Sequence, residues 1–204
     1  MRIMIKVTSV SEEKIREIGE KIGQAFWAEN CGVATLFSEK ECISFFRIIT
    51  QVCYRAGCLY TTSDNMEGFV VYYRKKEKPA LRYQMQMLRL FLKEIPMSTW
   101  LHFLKNQRGW KGFEARCKKE PDYVCVFMLV VLKEFQGKGF MRQMLHDPFA
   151  VAKEKHIPCV LDTDTLLKTQ KYQHCGMKIV VRNDIPIRLP CMRWNIGNTM
   201  IYKC

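Results

Sequence analysis

Residues 124–142 constrain this chain more than any other stretch. An apolar run from Val124 to Leu132 enters a short turn, Lys133-Glu134-Phe135-Gln136-Gly137-Lys138-Gly139, and an amphipathic segment from Phe140 to Lys155 begins at once. The pattern predicts a buried strand, a tight turn and the start of a helix. Such a turn presents backbone N–H groups at the positive end of a helix dipole, which suits an anion. Gly137 and Gly139 let a ligand approach the backbone with no side chain in the way. Lys138 and Arg142 add positive charge at the same rim. The guest that fits such a site is a diphosphate.

Neither common nucleotide signature is complete. The pattern G-x-x-x-x-G-K-[ST] is absent, and the third glycine of G-x-G-x-x-G is Arg142. Two later motifs narrow the reading: Leu161-Asp162-Thr163, then Tyr172-Gln173-His174-Cys175-Gly176-Met177. With these, residues 122–181 resemble the GCN5-related N-acetyltransferases (GNAT family). The phosphate loop of that family reads Q/R-x-x-G-x-G/A. Here it is Gln136, Gly139 and, with a bulky side chain at the small position, Met141. The family's V-x-P-E-Y-Q before the loop compares with Val131, Lys133, Glu134, Phe135 and Gln136. Its L-E-T, gap, Y-x-x-x-G-F compares with Leu161 to Thr163 and then Tyr172, Gly176 and Met177.

The resemblance reaches further in outline. Gly57 to Thr62 and Glu67 to Val71 look like the family's second and third strands. Residues 79–119 fit a helical insert ahead of the central strand, and Ile185 to Trp194 a closing hairpin. That layout is similar to the puromycin-type acetyltransferase subgroup. The implied fold is an α/β (α+β) domain over residues 1–204, with a mixed, mostly antiparallel sheet flanked by helices.

Bulk properties agree with one globular domain. The chain has 204 residues, 48% of them hydrophobic, enough for a sizeable core. No run of about 18 apolar residues occurs, so neither a membrane span nor a membrane partner is expected. Met1 to Val7 alternates apolar and polar residues and reads as a strand rather than a signal peptide. Ten cysteines include no C-x-x-C pair, and His102, His146, His156 and His174 form no cluster with them. No metal site is expected, and a reduced, cytoplasmic protein is. The net charge of +13 suits a ligand carrying several phosphates.

Local signals place the remaining elements. A strand at 2–8 precedes a helix capped by Ser11 and running to about Ala28. Ser38 to Glu41 is a capping box for a helix to about Arg55, closed by Gly57. Strands Cys58 to Thr62 and Glu67 to Tyr73 follow. Pro79 opens a helix to about Ile95, and Ser98 caps another after Pro96. Tyr123 to Val131 reads as a central strand buried on both faces. A strand Cys159 to Asp162, a helix from about Leu166 to His174 and strands at 177–183 and 191–203 complete the chain.

The resemblance implies a direct attack by an amine on acetyl-CoA. Backbone N–H groups of Gln136, Gly137, Lys138, Gly139, Phe140 and Met141 would grip the pyrophosphate, with the charge of Arg142 beside them. Leu129 and Val131 would pair with the pantetheine arm as with an added strand, the N–H near Val131 polarising the thioester carbonyl. Thr165 and Lys168 stand where the family carries asparagines toward that arm, and Lys168 is the expected contact. Tyr172 is the expected general acid toward the departing thiolate. Residues 123–132 hold no carboxylate or histidine, so the base is sought among Glu67, Glu120, Asp122 and Asp162, or in a water chain. Phe26, Trp27, Tyr54 and Trp194 are candidate walls of the acceptor pocket. The acceptor is a small-molecule or peptide amine, and a homodimer stays open. Two other readings stand beside this one. One is a catalytically degenerate acyl-CoA-binding sensor. The other, ranked last, is a nucleic-acid binder suggested by charge alone.

Overall fold

The computed structural model describes residues 4–30, 32–105, 117, 120–181 and 198–202. Strand β1 (Ile5–Lys6) leads into helix α1 (Glu12–Glu29), and helix α2 (Glu39–Arg55) follows a 3-10 turn at Gly32–Leu36. Strands β2 (Leu59–Thr61) and β3 (Gly68–Arg74) precede helices α3 (Leu81–Glu94) and α4 (Met97–Lys105). Then come β4 (Val124–Val131), α5 (Phe140–Glu154), β5 (Cys159–Thr163), α6 (Leu166–His174), β6 (Lys178–Val181) and β7 (Asn198–Tyr202).

Local chemistry explains the helix ends. The Ser11 side chain accepts from Lys14 N, and Ser38 with Glu41 forms a reciprocal capping box. Each such cap stabilises its helix by about 1 kcal/mol. Gly57, at φ +69, turns the chain out of α2 into β2. Ser98 is not a cap: α4 begins at Met97, directly after Pro96. Pro96, with its φ already helical, suits the start of that helix.

Seven strands form one sheet in the order β1-β2-β3-β4-β5-β7-β6. Every pairing is antiparallel except β4 with β5. Each face of the sheet has its own core. On one face Phe69, Val71, Met128 and Val130 pack with Ile15, Ile22, Phe45 and Ile48 of α1 and α2. On the other, Val70, Val124, Val126 and Leu161 pack with Met144 and Leu145 of α5 and Tyr172 of α6. Helices α1 and α2 touch closely through glycines. A Cβ on Gly19 would sit 2.7 Å from Arg47 Cα, and one on Gly23 2.6 Å from Ile43 Cα.

The cores also expose a break in β4. Val124 and Val126 face α5, yet Met128 and Val130 face α1 and α2. Strict alternation would keep all four on one side. The register with β3 supplies the reason: Tyr72 pairs with Val126 and Val71 with Met128, so Phe127 is an extra residue, a β-bulge.

The seven described cysteines, six of them buried, are free thiols. No described helix is long and apolar enough to cross a membrane, and the described residues hold no group of three potential metal ligands.

Candidate functional site

The bulge at Phe127 opens the sheet. β4 pairs with β5 only at Val124–Cys159, Cys125–Val160 and Val126–Leu161. Beyond that point β5 continues alongside β7 to Thr163, while β4 runs on to Val131 beside β3. The two strands therefore diverge. Leu132 N donates to Glu67 O at 2.9 Å, which makes that an inward-facing pair of the β3–β4 ladder. By alternation Leu129 and Val131 turn their N–H and C=O groups away from β3, toward the gap. The two residues expected to pair with an extended ligand are those with main-chain groups facing the opening. Both are half-buried and line it. The expectation that this strand is buried on both faces holds only for its first half.

The gap belongs to a cavity of 1060 Å³. One end is the turn after β4. Gln136, Gly137, Gly139, Phe140 and Met141 line it, and a Cβ on either glycine would meet nothing within 4 Å. Gly137 (φ +79) and Gly139 (φ +84) adopt the left-handed conformation that glycine accepts without strain. Gly139 is the N-cap of α5 and Gln143 N is bonded to its carbonyl. The N–H groups of Phe140, Met141 and Arg142 thus lie in the first turn, where a helix supplies no acceptor. No acidic residue stands in that turn. The Gln136 side chain donates to Val131 O at 3.2 Å and ties the turn back to β4. Met141 packs against the core under α5 and also lines the cavity.

Two expected rim cations are placed elsewhere. Arg142 donates to His174 O at 3.3 Å at the end of α6, and Lys138 Nζ lies 5.4 Å from the Phe135 ring centroid. Neither side chain lines the cavity.

Tyr172 lines the cavity and is 8% exposed. Burial pushes its phenol well above the ordinary value, the neighbouring Lys168 opposes this, and Asp164 and Glu29 add to it. The hydroxyl therefore favours its protonated form. Lys168, also on the wall, is held by Glu29 Oε2 at 2.7 Å and Asp164 Oδ1 at 3.0 Å. Thr165 is the N-cap of α6, its hydroxyl accepting from Lys168 N. Both residues at the family's asparagine positions are thus engaged within the protein. Next to them, the Thr163 hydroxyl is buried on the cavity wall with no hydrogen-bond partner among the described residues.

Of the four carboxylates considered as a base, only Asp162 lines the cavity, and it is exposed there. Glu67 accepts from the Thr62 and Ser63 hydroxyls at 2.6 and 2.7 Å. Burial raises its pKa, but these bonds outweigh burial and hold it below the usual value. Asp122 is paired with Arg74 at 2.6 Å, and the Glu120 carbonyl accepts from Lys75. Among the expected walls, Phe26 lines the cavity. Trp27 packs on the core outside it, and Tyr54 binds the Val10 backbone through its hydroxyl at 2.8 and 3.0 Å. Trp194 and the closing hairpin lie outside the described residues, as do residues 106–116 of the insert.

Sequence reasoning missed Glu29 and Asp164, both on the cavity wall, and the contact that sets them. Gly32 (φ +58) packs so tightly on Asp164 that a Cβ would fall 1.5 Å from its Oδ2. Gly32, just past the end of α1, is the one trace of that close approach in the sequence.

No family model matches the sequence, and no curated protein matches it. Solved structures do. The polyamine N-acetyltransferase of Drosophila melanogaster, which forms N-acetylagmatine, superposes with a TM-score of 0.65 at 10% identity over 99% of each chain. The C-terminal condensation domain of Ebony, solved with beta-alanyl-dopamine, gives 0.64 at 12% identity over 100% of both chains. Arylalkylamine N-acetyltransferase 2 of Aedes aegypti gives 0.60 at 10% identity, over 96% of this chain and 97% of that one. The chain has the GNAT fold. None of these three is a puromycin-type enzyme, and that finer placement rests on the sequence layout alone.

Proposed function

We propose that this GNAT-fold chain is an acetyl-CoA-dependent N-acetyltransferase acting on a primary amine. The observation that carries the reading is the divergence of β4 from β5 after Val126, beside a glycine turn at a helix N-terminus. It leaves a strand edge and an anion-binding turn in line, which suits an extended arm ending in a diphosphate. The N–H groups of Phe140, Met141 and Arg142 take the pyrophosphate. Leu129 and Val131 pair with the pantetheine arm, and the Thr163 hydroxyl meets one of its amides in place of the absent asparagine. Lys168 braces the wall through Glu29 and Asp164 rather than contacting the arm.

The chemistry is one exchange of bonds. The neutral amine attacks the thioester carbon, its N–C bond forms and the C–S bond breaks. The carbonyl oxygen carries the transient charge against the Val131 N–H. The amine loses a proton to water or Asp162, and the sulfur leaves as thiolate. Tyr172 donates a hydrogen bond to that thiolate. Its raised pKa makes full proton transfer to sulfur unfavourable, so charge stabilisation is its main role. The acceptor is a small amine, in line with the polyamine and arylalkylamine N-acetyltransferases that share the fold.

The test is release of free thiol from acetyl-CoA against a panel of polyamines, arylalkylamines and peptide amines, with calorimetric titration of CoA. Saturable CoA binding and amine-dependent thiol release support the proposal. CoA binding without release on any acceptor turns the reading to an acyl-CoA sensor, and no heat with CoA at millimolar concentration removes both.

A further inference from the structure

Helix α3 has two apolar faces, and the fold uses one of them. Tyr83, Met87, Leu90 and Phe91 pack into the core with α2. Leu81, Met85, Leu88 and Leu92 belong to no core cluster and are 70%, 56%, 39% and 47% exposed. At about 100° per residue these four fall within roughly 60° of arc, so they form one narrow outward stripe. Met97, Leu101 and Leu104 repeat the same spacing on α4 and are 57%, 50% and 50% exposed. Seven of the eleven exposed large apolar side chains in the described structure therefore sit on two consecutive helices.

Charge accompanies the stripe. Arg82, Arg89 and Lys93 run along one flank of α3, all exposed, and Lys76, Lys78 and Lys105 stand at the ends of the helical pair. The acidic residues of 75–105 are Glu77 and Glu94, and Glu94 is already paired with Arg47. An apolar stripe with a one-sided basic flank is the pattern of a helix lying in the surface of an anionic bilayer: leucine and methionine enter the acyl boundary while lysine and arginine meet phosphates. A second copy of this chain meeting it with the same face suits it less, because that face brings no acidic partner for the flank.

We propose that the outward face of α3 and α4 docks this protein peripherally on anionic lipid. This reverses the expectation of no membrane partner while leaving the chain without a span. The inner side of α3 supplies Tyr83, Gln84 and Met87 to the cavity wall, so the docked surface and the cavity are separated by one helix. The inference does not depend on the chemistry proposed above.

The experiment is sedimentation of the full chain with vesicles of phosphatidylcholine alone or mixed equally with phosphatidylglycerol. Partitioning at least ~10-fold stronger on the anionic vesicles, weakening as salt rises from 0.1 to 0.5 M, is the expected result. Met85→Glu and Leu88→Glu should each lower it by ~10-fold or more, with thermal melting and CoA affinity unchanged. Equal partitioning on both lipids, or none, overturns the proposal. So does a wild-type dimer, seen by analytical ultracentrifugation, that Leu88→Glu dissociates while vesicle binding persists.

Discussion

Replacing Thr163 with Val separates two roles that act with opposite sign. The Thr163 hydroxyl is buried on the cavity wall without a partner among the described residues. A buried polar group left unsatisfied costs about 1–3 kcal/mol. Valine keeps the branched shape and removes the hydroxyl. The ligand-free variant should gain about 1 kcal/mol, or roughly 2–4 °C in Tm for a chain of this size. If the hydroxyl serves the pantetheine arm, the same change removes one hydrogen bond worth about 0.5–1.5 kcal/mol and weakens CoA binding by about 2- to 10-fold. Differential scanning calorimetry of the free protein and isothermal titration with CoA read the two effects independently. A variant that is less stable and binds CoA as tightly as the wild type refutes the reasoning, because the hydroxyl would then be satisfied inside the protein.

Other substitutions test the site and its scaffold. Gly139→Asp places a carboxylate in the first turn of α5 at φ +84, and CoA affinity should fall by at least ~100-fold through strain and repulsion; undiminished binding contradicts the phosphate-turn assignment. Tyr172→Phe removes a buried donor and should lower kcat by roughly 10- to 100-fold with CoA affinity retained; full turnover across the pH range eliminates its role. Gly23→Val drives a side chain into the Ile43 backbone and should cost about 3 kcal/mol or more in urea unfolding, while a loss under ~1 kcal/mol would show that α1 and α2 are not in contact there. Alkaline pH should unfold the protein sharply. Burial raises Cys42 and Cys125 to about 12 and pushes Tyr72, Tyr73, Tyr123 and Tyr172 up, so the folded state resists their ionisation. Their stabilisation is intact below the ordinary values and is lost as pH climbs from about 9 toward the raised ones. Phenolate absorbance should therefore appear together with loss of helix; phenolates forming while circular dichroism stays native would oppose this.

What was legible in the sequence was local. The caps at Ser11 and Ser38 act within three residues, and the glycines at 137 and 139 fix a turn that needs positive φ. These signals located α1, α2 and α5 within a residue or two. The sequence could not show that the Arg142 side chain meets His174 O, on a helix 32 residues away, or that Lys138 lies over the Phe135 ring. The ion pairs of Lys168 with Glu29 and Asp164 form only in the folded chain, so the sequence holds no sign of them. Tyr54 read as a pocket wall because nothing in its neighbourhood announces a bond to Val10, 44 residues earlier.

The bulge at Phe127 is the deepest of these hidden features. Val124 to Leu132 is apolar at almost every position, so no alternation in the sequence could reveal a change of phase. The inserted residue does two things in one step. It moves Met128 and Val130 onto the core beneath α1 and α2, and it turns the main-chain groups of Leu129 and Val131 from β3 toward the cavity. Paired without a bulge, the same sequence would put Met128 and Val130 on the α5 face and would turn the main-chain groups of Leu129 and Val131 onto β3. The packing of the core therefore holds the cleft open. Deleting Phe127 keeps Met128 opposite Val71 and Leu129 and Val131 turned toward the cavity, so it removes the bend alone; CoA binding should be lost if that bend parts β4 from β5, and a deletion variant that folds and binds CoA as tightly as the wild type would show that the opening does not depend on the bulge.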